Sequence, residues 1–235
     1  MSEFDENNTQ TLKLYYFGIP GKGEAIRLAL NFAGIPFEDC RIDNEIFKTL
    51  KENGTLPYGQ VPALEITTKT SKRIICQSAA ILRFIGRVAK PGLLYPEDPI
   101  DAAFVDSVLD AEIDLFTGLA VSRYRGRYGY ECIGNPGNPI FDEIRRELNS
   151  AVIPRHLRNL EKLLEDSKTG WFAGTEGPSI ADFCLAPRLG WLSEHGEGIQ
   201  PDILNPFVKI MDFMDRFYKH PKIATYYETH TFRFI

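Results

Sequence analysis

Residues 12–42 read LKLYYFGIPGKGEAIRLALNFAGIPFEDCRI, and the succession of textures along them decides the fold. Leu12 to Phe17 is a compact aliphatic and aromatic run, the composition of a short strand. Gly18, Pro20, Gly21 and Gly23 then crowd a turn. Glu24 to Ala33 sets Ile26, Leu28, Leu30 and Phe32 among good helix formers, and Gly34-Ile35-Pro36 stops the helix. Phe37 to Ile42 reads as a second strand. The unit is β-α-β, with a crossover of the length that parallel strands require.

Downstream, Asp43 to Leu56 is weakly patterned and reads as a short helix and a loop. Ala63 to Thr67 and Lys72 to Cys76 are strands joined by the polar hairpin stretch Thr68 to Ser71. Gln77 to Val88 places Ala80, Ile81, Phe84, Ile85 and Val88 at helical spacing. The order β-α-β-α-β-β-α makes residues 11–89 a small α/β domain. Pro91, Gly92, Pro96 and Pro99 mark residues 90–101 as a linker. Beyond it strand signals fade. Helices are predicted over Ala102 to Tyr124, Ile140 to Glu165 (broken or bent at Pro154), from Ser179, over Asn205 to Phe217 and after Pro221, so 102–228 is an all-helical domain. Residues 1–10 are polar, lack the apolar core of a signal peptide and read, with 229–235, as loose tails.

Composition narrows the function. Of 235 residues 43% are hydrophobic, which excludes wholesale disorder. Against 32 acidic side chains stand 27 basic ones, so no cationic surplus exists for a dedicated nucleic-acid binder. No apolar run reaches the ~18 residues that would span a membrane. Cys40, Cys76, Cys132 and Cys184 are far apart with no C-x-x-C pair, pointing to reduced thiols and a cytoplasmic setting. His156, His195, His220 and His230 show no metal-ligand spacing, and no metal is expected.

Three local motifs stand out. Gly18 to Gly23 imitates a phosphate loop, but that loop needs Gly in place of Tyr16 and Ser or Thr in place of Gly23; it reads as a strand-to-helix turn. Val61-Pro62 opens a strand, and either an ordinary trans turn or a cis bond presenting the Val61 backbone to an extended peptide fits it. Gln77-Ser78 stands at a helix start, where the serine is either a simple cap or part of an anion site built with the unpaired N–H groups.

Taken together and in order, Tyr15-Tyr16-Phe17, Gly21-Lys22-Gly23-Glu24-Ala25-Ile26-Arg27, Leu56 to Pro62 and Gln77-Ser78 resemble cytosolic glutathione transferases, the sigma-like, tyrosine-using members most. Ser179-Ile180-Ala181-Asp182 looks like the capping box of that family's helical domain. The resemblance spans about Leu12 to Tyr227. It implies a thioredoxin-like N-terminal domain that binds glutathione and an all-α domain that carries a hydrophobic-substrate site.

By the same resemblance Tyr16 is the catalytic tyrosine, donating a hydrogen bond to the glutathione sulfur. Strand alternation sets it with Leu12 and Leu14, on the face opposite Tyr15; the following Phe17 favours Tyr16 over Tyr15 for the role. Phe17 belongs to the implied glutathione site. Gln77 and Ser78 would hold the γ-glutamyl carboxylate, Val61 ahead of a cis Pro62 the cysteinyl backbone, and Lys51 with Gln60 the glycyl carboxylate. Lys22, Phe47 and Gln60 stand where sigma-like relatives usually carry Arg, Trp and Lys, which implies a weaker hold on glutathione.

Asp106, Asp110 and Asp114 are stacked four apart, a spacing at which like charges destabilise a helix. A solvated face or a divalent-cation site would account for them, and the resemblance implies for Asp114 a place at the glutathione site of the partner in a homodimer. Arg123 to Tyr130 interleaves basic and aromatic residues; Tyr124 and Tyr128, sharing a helix face, are candidates for the second-substrate pocket. The expected activity is conjugation of glutathione, a co-substrate, to small hydrophobic electrophiles in detoxification, with no cofactor. The alternatives are a glutathione-dependent isomerase or peroxidase of the prostaglandin D synthase kind, and a non-catalytic scaffold of the same fold.

Overall fold

The computed structural model describes residues 10–230, so of the tails expected over 1–10 and 229–235 all but residues 10, 229 and 230 lie outside the described residues. Its strands are β1 (Thr11–Phe17), β2 (Glu38–Ile42), β3 (Ala63–Thr67) and β4 (Lys72–Cys76). They lie in the order β2-β1-β3-β4, with β1 and β2 parallel and the other two pairings antiparallel. Helix α1 (Gly21–Ala33) makes the parallel crossover and ends on Gly34 in the left-handed conformation that glycine tolerates best.

The period of two is visible in burial. Leu12, Leu14 and Tyr16 are buried on one face of β1, against α1 and α3 (Ser78–Val88), as the alternation predicts. On the other face Tyr15 joins a smaller apolar cluster of Leu56, Ala63 and Cys76, packed with Phe47 and Leu50 from α2 (Asn44–Glu52) and its border.

Among the described residues seven α-helices follow: α4 (Pro99–Arg123), α5 (Arg125–Tyr128), α6 (Pro139–Glu147), α7 (Ile153–Asp166), α8 (Ile180–His195), α9 (Val208–Lys219) and α10 (Pro221–Thr229). Two of the differences from expectation have clear local reasons. Helix α4 starts at Pro99, not Ala102, because the Asp98 carboxylate accepts from the N–H groups of Ile100 and Asp101 and proline fits a first helical position. The helix expected over Ile140 to Glu165 is two helices joined by a π-turn at Leu148–Val152. Pro154 thereby falls in the first turn of α7; inside a continuous helix its ring would clash with the carbonyl four residues back.

Helix α8 is the hub, packing on α1, α3, α4 and α9. Its start is fixed by the fully buried Asp182, which accepts from the Ser179 N–H (2.7 Å), the Ser179 hydroxyl (2.8 Å) and the Phe172 N–H (2.9 Å). Burial pushes that carboxyl up to about 6 despite these bonds. Edge-to-face contacts of Phe183 with Phe32 (5.1 Å) and with Phe217 (5.3 Å) tie α1 and α9 to α8 in one continuous core. Among the described residues no helix is long and apolar enough to cross a membrane.

Candidate functional site

The site grows from the end of β1. Tyr16 is 8% exposed, its ring laid across the first turn of α1. A Cβ on Gly23 would stand 2.3 Å from that ring, and one on Gly21 would stand 2.4 Å from the hydroxyl oxygen. These glycines therefore make room for the tyrosine as well as turning the chain, a role that glycine spacing alone does not announce. With the backbone so close, the Lys22 N–H donates to the Tyr16 oxygen at 2.9 Å. The phenolic proton remains free to be donated onward, since among the described residues no acceptor takes it. Burial raises the Tyr16 pKa, with the Lys22 N–H and the positive charges of Arg188 and Arg27 opposing the rise. At neutral pH the group is a protonated, polarised donor.

Tyr15, the alternative, is committed elsewhere. Its hydroxyl donates to Glu65 at 2.9 Å, Glu65 is paired with Lys72 at 2.8 Å, and burial together with that carboxylate pushes the phenol up to about 12.

The turn carrying Tyr16 is pinned by Arg27, 1% exposed. Its Nε donates to Asp39 on β2 (3.0 and 3.1 Å), its Nη1 to the Ile19 carbonyl and its Nη2 to the Phe17 carbonyl (2.9 Å each), and the guanidinium lies 5.6 Å from the Tyr16 ring. Glu24, also 1% exposed, pairs with Arg27 at 3.7 Å, and burial pushes its carboxyl up to about 7. Sequence reasoning assigned neither residue a function. The available signal was a pair of charges one turn apart inside an otherwise apolar helix.

A second missed group lies between α4 and α8. Glu112 is 3% exposed and accepts from Arg188 Nε at 2.8 Å, while Lys22 Nζ stands 3.8 Å from its other oxygen. The Arg188 guanidinium lies 3.9 Å over the Phe116 ring and 5.0 Å from Trp191. Glu112 interrupts the buried stripe of α4, and that interruption was legible; its partner from α8 was not.

The remaining candidates fall into two sets. Phe17 meets Phe47 edge to face at 5.4 Å, and Lys51 Nζ lies 5.4 Å from the Phe47 ring. Lys51 also runs along Gly59, whose added Cβ would be 3.6 Å from Lys51 Cε, which sets the ammonium beside the Gln60 loop. The Val61–Pro62 bond is cis, and Val61 packs with Phe47 on the small cluster. Gln77 holds φ 74°, a left-handed conformation that costs a non-glycine residue energy and that clusters at functional sites. The simple-cap account of Ser78 does not hold: Gln77 occupies the capping position without a side-chain bond, Ser78 is the first helical residue, and its hydroxyl is unbonded among the described residues. The first N–H groups of α3 and this hydroxyl together form a donor array suited to a carboxylate.

Asp114, Tyr124 and Tyr128 do not join that set within one chain. Asp106 and Asp110 are bridged by Arg83 of α3 at 2.7 Å each, and Tyr95 donates to Asp106 at 2.8 Å, which explains how α4 tolerates the stack. Asp114 is left exposed. No cluster of potential metal ligands occurs among the described residues. Tyr124 and Tyr128 are half exposed, each under an arginine, Arg123 and Arg127. A cavity of about 650 Å³ instead opens between α1, α8, α9 and α10, walled by Pro20, Trp191, Leu204, Met214 and Tyr227. Neither tyrosine lines it.

Comparison with known proteins adds the following. Residues 12–87 match the family model described as glutathione S-transferase, N-terminal domain, and residues 140–230 match the one described as glutathione S-transferase, C-terminal domain. Glutathione S-transferase 1 of Ascaris suum is 31% identical over 212 residues, covering 90% of this chain and 92% of the relative. Among solved structures, the prostaglandin D synthase of Nilaparvata lugens superposes with a TM-score of 0.77 at 25% identity, over 94% of this chain and 98% of the other. A monomeric glutathione S-transferase of the hookworm Necator americanus gives a TM-score of 0.72 at 24% identity, over 96% of this chain and 100% of the other.

Proposed function

Because this chain belongs to the glutathione S-transferase family, we propose that it binds glutathione with the sulfur beside Tyr16 and transfers that sulfur to small hydrophobic electrophiles. The observation that carries the assignment is the Lys22 N–H pointing into the Tyr16 oxygen, which polarises the phenol and leaves its proton for a sulfur. A free thiol with a pKa near 8.5 is only a few per cent ionised at neutral pH. A hydrogen bond to the ionised form stabilises it by about 1.5–3 kcal/mol, equivalent to roughly one to two pKa units. That makes thiolate the main species.

Residues 11–89 hold the tripeptide in this reading and residues 102–228 supply the second site, with 90–101 as the linker. Gln77, Ser78 and the α3 N-terminus receive the γ-glutamyl carboxylate, the Val61 backbone pairs with the cysteinyl part, and Lys51, Gln60 and Lys22 face the rest beside the Phe17–Phe47 wall. Tyr124 and Tyr128 border the mouth of the electrophile site. Glutathione is a co-substrate, and the reaction needs no further cofactor. The exposed apolar side chains Tyr58, Ile100, Phe104 and Ile113 support a homodimer, in which Asp114 would meet the glutathione of the partner subunit. The four free cysteines fit a cytoplasmic protein.

The test is Tyr16→Phe assayed with a chromogenic electrophile: kcat/KM is expected to fall about tenfold to a hundredfold. Unchanged turnover contradicts the mechanism. The likeness to a prostaglandin D synthase favours one second reading, in which the same thiolate isomerises or reduces a peroxide. A hydroperoxide run beside the electrophile separates the two.

A further inference from the structure

Arg188 is not explained by packing. It is a guanidinium on the central helix of the core, held by a carboxylate through one nitrogen only. Its Nε is committed to Glu112 at 2.8 Å, whereas Nη1 and Nη2, with four N–H donors between them, make no hydrogen bond among the described residues. The side chain keeps 12% exposure, and its face rests on Phe116 at 3.9 Å with Trp191 at 5.0 Å. A planar fork fixed at its edge and on its face, with its tip open, is a preorganised receptor for a planar anion.

Its surroundings set the class of ligand. Lys22, whose backbone polarises Tyr16, reaches the same Glu112 carboxylate at 3.8 Å, and Arg123 lies 5.4 Å from the Trp191 ring. Two cations, Arg188 and Lys22, thus share one buried carboxylate, with a third, Arg123, on the neighbouring Trp191 ring. Phe116 and Trp191 supply apolar surface, and Trp191 also walls the cavity of about 650 Å³. Such a wall suits a molecule with one anionic end and an apolar body.

Building on the glutathione-transferase reading above, we propose that Arg188 is a specificity-determining residue that binds a carboxylate on the second substrate, so that the preferred electrophiles are amphipathic acids rather than neutral apolar molecules. The carboxylate takes no part in the bond changes. For an α,β-unsaturated ketone acid, the thiolate sulfur bonds to the β-carbon, the C=C pair moves to the α-carbon, and solvent returns there the proton that the thiol released. Arg188 fixes where the β-carbon lies relative to the sulfur.

The experiment uses a matched pair, an aryl-substituted α,β-unsaturated ketone carrying a carboxylic acid and its methyl ester, with glutathione and the full chain. The wild type is expected to favour the acid in kcat/KM by about tenfold or more. Arg188→Met should abolish that preference, lowering kcat/KM for the acid about tenfold more than for the ester, and Arg188→Lys should restore part of it. Thermal unfolding with and without glutathione confirms that each variant is folded and binds the co-substrate. A wild type that turns over the ester with no preference for the acid, or an Arg188→Met enzyme that loses both activities equally, overturns the assignment and leaves the transferase reading standing. A wild type that binds glutathione and conjugates neither compound overturns both.

Discussion

A buried phenol whose oxygen accepts from a backbone N–H still has its own proton to donate, and Tyr16 is in that state. Its position depends on two residues with no side chain. In Gly23→Ala the new Cβ would need space 2.3 Å from the ring, so the tyrosine or the first turn of α1 must move. Overpacking of this kind costs about 1–3 kcal/mol, and the displaced hydroxyl should cost activity as well. Gly23→Ala is therefore expected to lose most conjugating activity while remaining folded by circular dichroism; full activity would show that the close approach is dispensable. Tyr16 was readable from strand alternation and its setting in the motif. The glycine contacts, and the Arg27 bonds to the Phe17 and Ile19 carbonyls, were not, because a sequence lists neighbours along the chain and these join the two sides of a turn in space.

At the scale of elements, the central helix of the site is fixed at its start. Helix α8 presents Arg188 and Trp191 to α4 because Asp182 holds its first turn. Removing the carboxylate in Asp182→Ala leaves the buried N–H groups of Ser179 and Phe172 without an acceptor. The expected loss is about 2–4 kcal/mol by urea denaturation; a loss under about 0.5 kcal/mol would show that this cap is not structural. The strands, α1, α3 and the Ser179–Asp182 box were all legible, since each rests on local periodicity or a local capping pattern. The early start of α4 was hidden by the prolines that suggested a linker, although Asp98-Pro99 is a good helix opening. Glu112 with Arg188 was out of reach for a different reason: the two lie 76 positions apart and meet only because α4 packs on α8.

For the molecule as a whole, the buried acids make stability depend on pH in an unusual direction. Folded, Glu24 keeps its proton up to about pH 7, and unfolded it gives it up near its ordinary value of 4.5. Between those limits the folded state binds more protons, so the free energy of unfolding falls as pH rises and levels off above about 7. Asp182 acts the same way up to about pH 6. Urea denaturation of Glu24→Gln across pH 5–8 should show a flatter slope than the wild type; equal slopes would mean that Glu24 titrates like an exposed carboxylate.

The most direct test of the whole account is the ultraviolet absorbance of the bound thiolate, titrated with pH in the glutathione complexes of the wild type and of Tyr16→Phe. With the Tyr16 proton on the sulfur, the wild-type complex should ionise near or below pH 7 and the variant roughly one to two units higher. Identical titration curves for the two complexes would contradict it.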